Sequence, residues 1–343
     1  MRVLIVKLGS IGDIVHTLPA LAALRAGLPN AEISWVAERS SAEILKDNPV
    51  LDRLIEVDTK ALRRGLMSGE TLRAPRQQLR RLRASAFDIA LDFQGLIKSA
   101  SIARLSGARR VFGYARAGLR EPASTVFLSK RIAVPPHTHV IRKALLLVQG
   151  ALGICPPPEL SFPMGIARDA QAEAERAAEV AGGNYAILNP GGGWPTKLWS
   201  AEKFGALSDL LWTSYGMRSL VTYGPGEQDL AETVQRSSRS QKATPVNLSL
   251  KGFYSLAQRA RVYIGGDTGP THLAVAAGAP VVGLFGPTEW WRNGSLNAAD
   301  ICVERDDIDC RVDCHRRACS KWICMDIDVA RVFHAVERRI SQV

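Results

Sequence analysis

The chain has 343 residues, 46% of them hydrophobic, with 44 Lys and Arg against 33 Asp and Glu for a formal net charge of +11. That length exceeds one usual domain and favours two α/β domains, each with a sizeable core. A mean hydropathy near zero and the lack of any apolar run approaching the roughly 20 residues of a membrane span exclude an integral helical membrane protein.

The first strand-like run begins at Arg2, which leaves no room for a signal peptide ahead of it, so a cytoplasmic protein with at most peripheral membrane contact is expected. The basic surplus is concentrated. Between Lys60 and Arg131 stand 16 basic residues and four acidic ones, Glu70, Asp88, Asp92 and Glu121, so this one region accounts for the whole net charge. Such a field attracts nucleic acid, anionic lipid or a polyanionic substrate, or is a well-solvated helical surface.

Taken in order, residues 2–8 (RVLIVKL) read as an apolar strand followed by Gly9-Ser10-Ile11-Gly12-Asp13. A helix over about 14–26 and a strand over 32–37 complete a βαβ start. It lacks GxGxxG, so the dinucleotide fingerprint fails and a nicotinamide enzyme is disfavoured. On spacing alone Asp13 reads as a helix N-cap or first-turn acid, which satisfies free N–H groups and favours the helix dipole.

A short strand at 54–57 precedes an arginine-rich, partly helical segment over 60–84. The buried strand 87–93 (FDIALDF) delivers Gln94-Gly95-Leu96-Ile97-Lys98 to its carboxyl end, where open α/β sheets place ligands. A strand at 109–114 has basic flanks and 116–121 is a loop; His137 and His139 fall in a loop near Pro135-Pro136. A helix covers 141–152, and Ile154-Cys155-Pro156-Pro157-Pro158 starts an interdomain linker.

The second half begins again with a helix over about 169–181 and a strand at 185–188. The loop Asn189-Pro190-Gly191-Gly192-Gly193-Trp194-Pro195-Thr196-Lys197 then allows close backbone approach to a ligand and adds a hydroxyl and a cation, a combination suited to phosphate. It is not a P-loop, because Gly-Lys-Ser/Thr is absent. Strand 219–223 ends in Gly224-Pro225-Gly226-Glu227. The run 262–264 ends in Gly265-Gly266-Asp267-Thr268-Gly269-Pro270, with a small-residue helix over about 271–277 and an apolar strand at 280–285. This is a parallel βαβ unit whose turn presents a helix N-terminus; it reads equally as an anion site or as a structural turn capped by Asp267 or Thr268. The loops at 189–197, 223–227 and 265–271 converge on one crevice, combining glycine-rich backbone with an acid, Glu227, suited to sugar hydroxyls.

Six cysteines are present, of which Cys310, Cys314, Cys319 and Cys324 form C-x3-C-x4-C-x4-C. The spacing misses the usual C-x2-C knuckles of zinc sites, and disulfides are not expected in a cytoplasmic protein. Reduced, packed thiols are therefore expected, and no metal. The D-x-D triplets Asp307-Ile308-Asp309 and Asp326-Ile327-Asp328 lie away from the three loops and carry no assignment. The final helix, over 328–340, is amphipathic through Val329, Val332, Phe333, Val336 and Ile340 and is expected to dock on a domain surface.

Four segments (KLGSIGDIVHTLPAL at 7–21, NPGGGWPTKLW at 189–199, YGPGE at 223–227 and GGDTGPTHLAVAAGAPVVGLFGPT at 265–288) together resemble the heptosyltransferases of glycosyltransferase family 9. DFQGLIKSA at 92–100 and LREPAS at 119–124 resemble the branch that adds the first heptose to the lipopolysaccharide inner core. The resemblance implies a GT-B fold, α/β, with two Rossmann-like domains facing across a cleft: residues 1–160 for acceptor, 161–326 for nucleotide sugar, and a packed-back helix at 327–343. It implies an ADP-L-glycero-D-manno-heptose donor, a Kdo2-lipid A type acceptor and an anionic inner-membrane surface as partners, with no nucleic acid, no cofactor and a monomeric enzyme on the cytoplasmic face.

Carried over by position, the resemblance makes Asp13 the general base of an inverting, metal-independent transfer and Lys197 the group that stabilises departing ADP. Gly192, Gly193, Thr196, Glu227, Asp267, Thr268, Gly269 and His272 match donor positions. Ser10, Arg63, Arg64, Lys98 and Arg120 match acceptor positions. A second heptosyltransferase of the family with a different acceptor, or a non-catalytic nucleotide- or anion-binding protein in which Asp13 only caps its helix, are the competing readings.

Overall fold

The computed structural model describes residues 1–59, 73–311 and 314–342. The chain divides into two compact units, Met1–Gly165 and Ile166–Val343. Lys60, Arg63 and Arg64 lie outside the described residues.

The first unit holds strands β1 (Arg2–Val6), β2 (Glu32–Glu38), β3 (Arg53–Val57), β4 (Ile89–Asp92), β5 (Arg110–Tyr114) and β6 (Lys130–Ile132). They form one sheet in the order β3-β2-β1-β4-β5-β6, and every pairing is parallel. Val3 through Val6 are fully buried. A parallel sheet is covered on both faces, so its central strands are continuously apolar rather than alternating. The helix expected over 14–26 is two helices, Ile11–Val15 and Leu18–Gly27. Pro19 has no N–H to give the preceding turn, so it ends the first helix and sits in the opening turn of the second. Helix Val140–Leu152 stops at Gly153, whose left-handed backbone (φ 73°) is the usual helix C-terminal signal.

The second unit holds β7 (Tyr185–Asn189), β8 (Arg218–Tyr223), β9 (Ala243–Asn247), β10 (Val262–Gly266), β11 (Val281–Phe285) and β12 (Ile301–Glu304). Their order is β12-β11-β10-β7-β8-β9, again parallel throughout. Edge strands β6, β9 and β12 escape sequence reading because they are short and lack a strong apolar run; β9 even contains Pro245, which only an edge position tolerates. The last helix, Val329–Ile340, belongs to this unit. Val332, Val336 and Ile340 enter its core, and buried Arg339 pairs with Asp300 at 2.8 Å.

Each unit has the doubly wound strand order, in which the direction of winding reverses once. Ligands of open α/β sheets bind beyond the carboxyl ends of the strands at that reversal. In the first unit the reversal lies between β1 and β4, and in the second between β7 and β10. These are the strands that carry the Asp13 loop, the 94–98 loop, the 189–197 loop and the 265–271 loop.

Candidate active site

In the first unit Asp13 stands in the first turn of helix Ile11–Val15, just past the end of β1. Its Oδ2 accepts from the Ser10 N–H at 3.1 Å and from Ser10 Oγ at 3.2 Å. Its Oδ1 faces Lys7 Nζ at 2.9 Å, with 12% of the lysine side chain and 40% of the aspartate side chain exposed. Asp13 therefore does cap its helix, and it also holds an ion pair that spacing did not reveal. Burial pushes its carboxyl upward, but the Lys7 ammonium and the Ser10 hydrogen bonds outweigh this and hold it below the ordinary range. Gly9 is required beside it, because a Cβ there would run into the Asp13 carboxylate.

The turn after β4 flanks the same point. Gln94 Oε1 accepts from the Gly9 N–H at 3.1 Å, and Lys7 Nζ donates to the Phe93 carbonyl at 3.3 Å. Buried Asp92 shapes this turn by accepting from the N–H groups of Gln94 and Gly95 at 3.0 and 3.1 Å. Burial raises its pKa to about 6 despite those bonds.

Lys98 lies at this carboxyl edge but is already engaged, 3.1 Å from Glu38 Oε1 and donating to Thr59 Oγ1 at 2.8 Å. Any anion that binds at Lys98 must compete with Glu38 for it. Arg120 is exposed and adjoins Glu121, whose Oε2 accepts the Ile97 N–H at 2.8 Å, at the start of helix Ile97–Leu105.

In the second unit Lys197, His272 and Asn293 are brought together around Asp267. Its Oδ2 takes Lys197 Nζ at 2.5 Å, and Lys197 also donates to the Asp267 carbonyl at 3.2 Å. Its Oδ1 takes Asn293 Nδ2 at 2.5 Å and lies 3.3 Å from His272 Nε2. The Asp267 side chain is 4% exposed and that of Lys197 14%. Burial alone raises the Asp267 carboxyl, but His272 and Lys197 reverse this and hold it far below the usual carboxylate range.

A group depressed in this way contributes stability that is present above its unfolded pKa and is lost as pH falls below it. Asp267→Asn is therefore expected to melt well below wild type at pH 7. The gap in Tm should narrow on acidification below about pH 4, where the unfolded carboxyl takes up its proton; a gap constant with pH would show that charge at Asp267 is not what stabilises the unit.

Thr268 precedes helix Gly269–Ala276 as its N-cap. Thr271 Oγ1 donates to the Gly266 carbonyl and meets Tyr263 Oη at 2.9 Å, which fixes the turn from below. Glu227 accepts the Gly224 N–H at 2.9 Å. A Cβ on Gly191 would strike the Glu227 carboxylate, and one on Gly192 would press on Thr268, so the three glycine-bearing loops do meet. Gly193 is exposed.

Thr196 is buried, and its hydroxyl is spent on the Arg316 carbonyl at 2.7 Å, while Trp322 Nε1 donates to the Thr196 carbonyl at 3.0 Å. The ring of Trp194 carries Lys197 at 4.4 Å and Arg317 at 4.8 Å from its centroid. The cysteine segment thus buttresses the 189–197 loop. All six cysteines are free thiols, and Cys310, Cys314, Cys319 and Cys324 line one cavity of about 410 Å³. Backbone N–H groups of Trp322 and Lys321 lower the Cys319 thiol, whereas burial raises that of Cys324. Among the described residues no group of three or more His, Cys, Asp or Glu is placed to hold a metal ion. In the D-x-D triplets, Asp307 pairs with Arg305 at 2.5 Å and Asp326 with Lys203 at 2.6 Å.

Sequence reasoning missed Lys7, Asp92 and Asn293 as site residues. For Lys7 and Asp92 a signal existed: each is a charged residue at the end of an otherwise apolar buried run. Asn293 gave none, since it lies 26 positions beyond Asp267 and only the packed chain joins them. No helix among the described residues is long and apolar enough to cross a membrane.

The family model of glycosyltransferase family 9 (heptosyltransferase) matches residues 76–322. Lipopolysaccharide heptosyltransferase 1 of Pseudomonas aeruginosa is 31% identical over 322 residues, covering 93% of this chain and 88% of that protein. Its namesake from Escherichia coli K12 is 30% identical, covering 84% and 89%. Among solved structures, E. coli heptosyltransferase WaaC with ADP-2-deoxy-2-fluoro heptose superposes with a TM-score of 0.76 at 25% identity, covering 100% of this chain and 99% of that one. The doubly wound pair of parallel sheets is the GT-B architecture of these neighbours, and the chain belongs to glycosyltransferase family 9, the heptosyltransferases.

Proposed function

We propose that this enzyme transfers L-glycero-D-manno-heptose from ADP-heptose to the Kdo of Kdo2-lipid A, with inversion at the anomeric carbon and without a metal. The relatives named above are lipopolysaccharide heptosyltransferases 1, and WaaC has been solved with ADP and with a fluorinated ADP-heptose. The observation that carries the reading is Asp13: an ionised carboxylate, partly open, at the β1/β4 reversal where the sheet places ligands.

In the proposed step the acceptor hydroxyl attacks the anomeric carbon and gives its proton to Asp13, while the anomeric C–O bond breaks and its electron pair leaves with ADP. Because the Asp13 carboxyl is held low, it is a weak base, so bond cleavage runs ahead of proton transfer. The charge growing on ADP is met by Lys197 and by the helix N-terminus at Thr268 and Gly269. The backbone at Gly192 and Gly193 admits the phosphates closely, and Thr196 holds that loop in place. Glu227 takes hydroxyls of the nucleotide sugar; Asp267 and His272 orient Lys197. On the acceptor side Ser10, Lys98 and Arg120 bind a polyanionic lipid, and Arg63 and Arg64 are assigned the same role from the sequence resemblance. The basic surplus of 60–131 suits that substrate and an anionic inner-membrane surface on the cytoplasmic side. The enzyme works as a monomer.

The test is transfer from ADP-heptose to Kdo2-lipid A or its O-deacylated form, followed by mass spectrometry of the product. One added heptose is expected. Donor binding without product on this acceptor, but with product on an acceptor that already carries a first heptose, would move the enzyme to the second transfer.

A further inference from the structure

The Asp13 carboxylate does not stand alone. Its Oδ2 is filled by two donors from Ser10, whereas its Oδ1 has one partner, Lys7 Nζ at 2.9 Å. A carboxylate oxygen has two lone pairs, so Oδ1 is the oxygen with a position open for an acceptor proton. Lys7 is the first residue past β1, and only 12% of its side chain is exposed.

Lys7 is held from the far side by the Phe93 carbonyl at 3.3 Å. The turn that presents that carbonyl is fixed by Asp92 through the Gln94 and Gly95 N–H groups and is tied to the β1 loop by Gln94 and Gly9. Adjacent strands β1 and β4 thus close a socket around one ammonium. The charged group acting on Asp13 is Lys7, and Lys7 is also the one acting on Asp92.

We infer that Lys7 is the positioning residue of the catalytic carboxylate. It orients Oδ1 toward the acceptor hydroxyl and keeps the partly exposed Asp13 carboxylate ionised, and the β4 turn organised by Asp92 holds it there. The inference rests on the reading of Asp13 as the base. A nearly buried ammonium with two oxygen partners swings away less readily than a surface lysine does, so the carboxylate keeps one geometry. The cost is basicity: a cation within hydrogen-bond distance lowers an acid's pKa by about 1 to 3 units.

The experiment is steady-state transfer across pH for wild type, Lys7→Met, Lys7→Arg, Asp13→Asn and the double variant Lys7→Met/Asp13→Asn, with donor affinity measured separately. For Lys7→Met, kcat is expected to fall roughly ten- to a hundredfold, within the range that general-base catalysis supplies. Donor affinity should stay unchanged. The acid limb of kcat/KM should move up by about one pH unit, because the carboxyl has lost its cation. Lys7→Arg should restore part of kcat and of the limb, which a purely packing role would not do. In the Asp13→Asn background Lys7→Met should add little further loss, since residues acting as a unit are not additive.

A Lys7→Met enzyme with the wild-type limb and kcat, alongside an inactive Asp13→Asn, would overturn the role of Lys7 while keeping the base. An active Asp13→Asn would instead overturn the reading of the base itself. Should Lys7→Met fail to fold, Asp92→Asn tests the socket: it should lower kcat with the donor still bound, and an unaltered kcat would count against the socket.

Discussion

Asp13→Ala is expected to lower the turnover of heptose transfer by about a hundredfold or more, the scale of a lost general base, and to leave donor affinity near that of wild type. The split follows from where the residue stands. Asp13 belongs to the first unit, at the β1/β4 reversal, whereas Lys197, Asp267, Glu227 and the Thr268 helix belong to the second. Deleting the carboxylate also removes the acceptor of the Ser10 N–H, so the variant should lose about 1 kcal/mol of stability as a lost helix cap does. Isothermal titration with ADP-heptose, stopped-point product assays and thermal melts separate these effects. A protein in which Asp13 only caps its helix would show the small stability loss and nothing in the assay.

Lys197→Met carries the second large effect, and it falls on both rate and fold. The ammonium neutralises Asp267, which is nearly inaccessible to water. Breaking such a pair from one side leaves a buried charge uncompensated and costs about 3 kcal/mol; His272 and Asn293 retain part of the carboxylate's coordination. The same ammonium is the cation beside the proposed site of the departing phosphates. Its removal should lower kcat by roughly a hundredfold, as loss of one preorganised charge-stabilising donor does. Product formation per folded molecule, normalised by active-site titration with ADP, checks the second point. If the folded fraction turns over at the wild-type rate, Lys197 serves only to neutralise Asp267, and the departing ADP is stabilised elsewhere.

Several residues show how far the sequence reached. The loops at 189–197, 223–227 and 265–271 were legible as a converging set because each is a glycine-rich turn after an apolar run, and such turns fall at the same edge of a parallel sheet. From spacing alone Asp13 was legible only as a cap; the resemblance alone made it the base. Local spacing reports the helix it opens and not the lysine six residues upstream that the strand end turns toward it. Thr196 looked like a ligand hydroxyl, and in the folded chain it secures the 189–197 loop to Arg316, 120 positions away. Lys98 was expected at the ligand-binding edge as an acceptor-side cation, and there Glu38 from the end of β2 meets it. In each case the partner lies beyond the reach of local spacing.

By itself the sequence determined the alternation of apolar strands and amphipathic helices, hence an α/β class with parallel sheets, the restart after the proline run, the placement of glycine turns, and a basic first half. These are consequences of periodicity and of backbone preference, which act over a few residues. The tertiary structure alone decided that β1 lies beside β4 and β7 beside β10. The first adjacency brings the Asp92 turn to Lys7 and the Asp13 loop, and the second brings Lys197 to Asp267. Strand order is set by which apolar faces pack best across long separations in the chain, and a buried charge can be placed only where that packing also brings its partner.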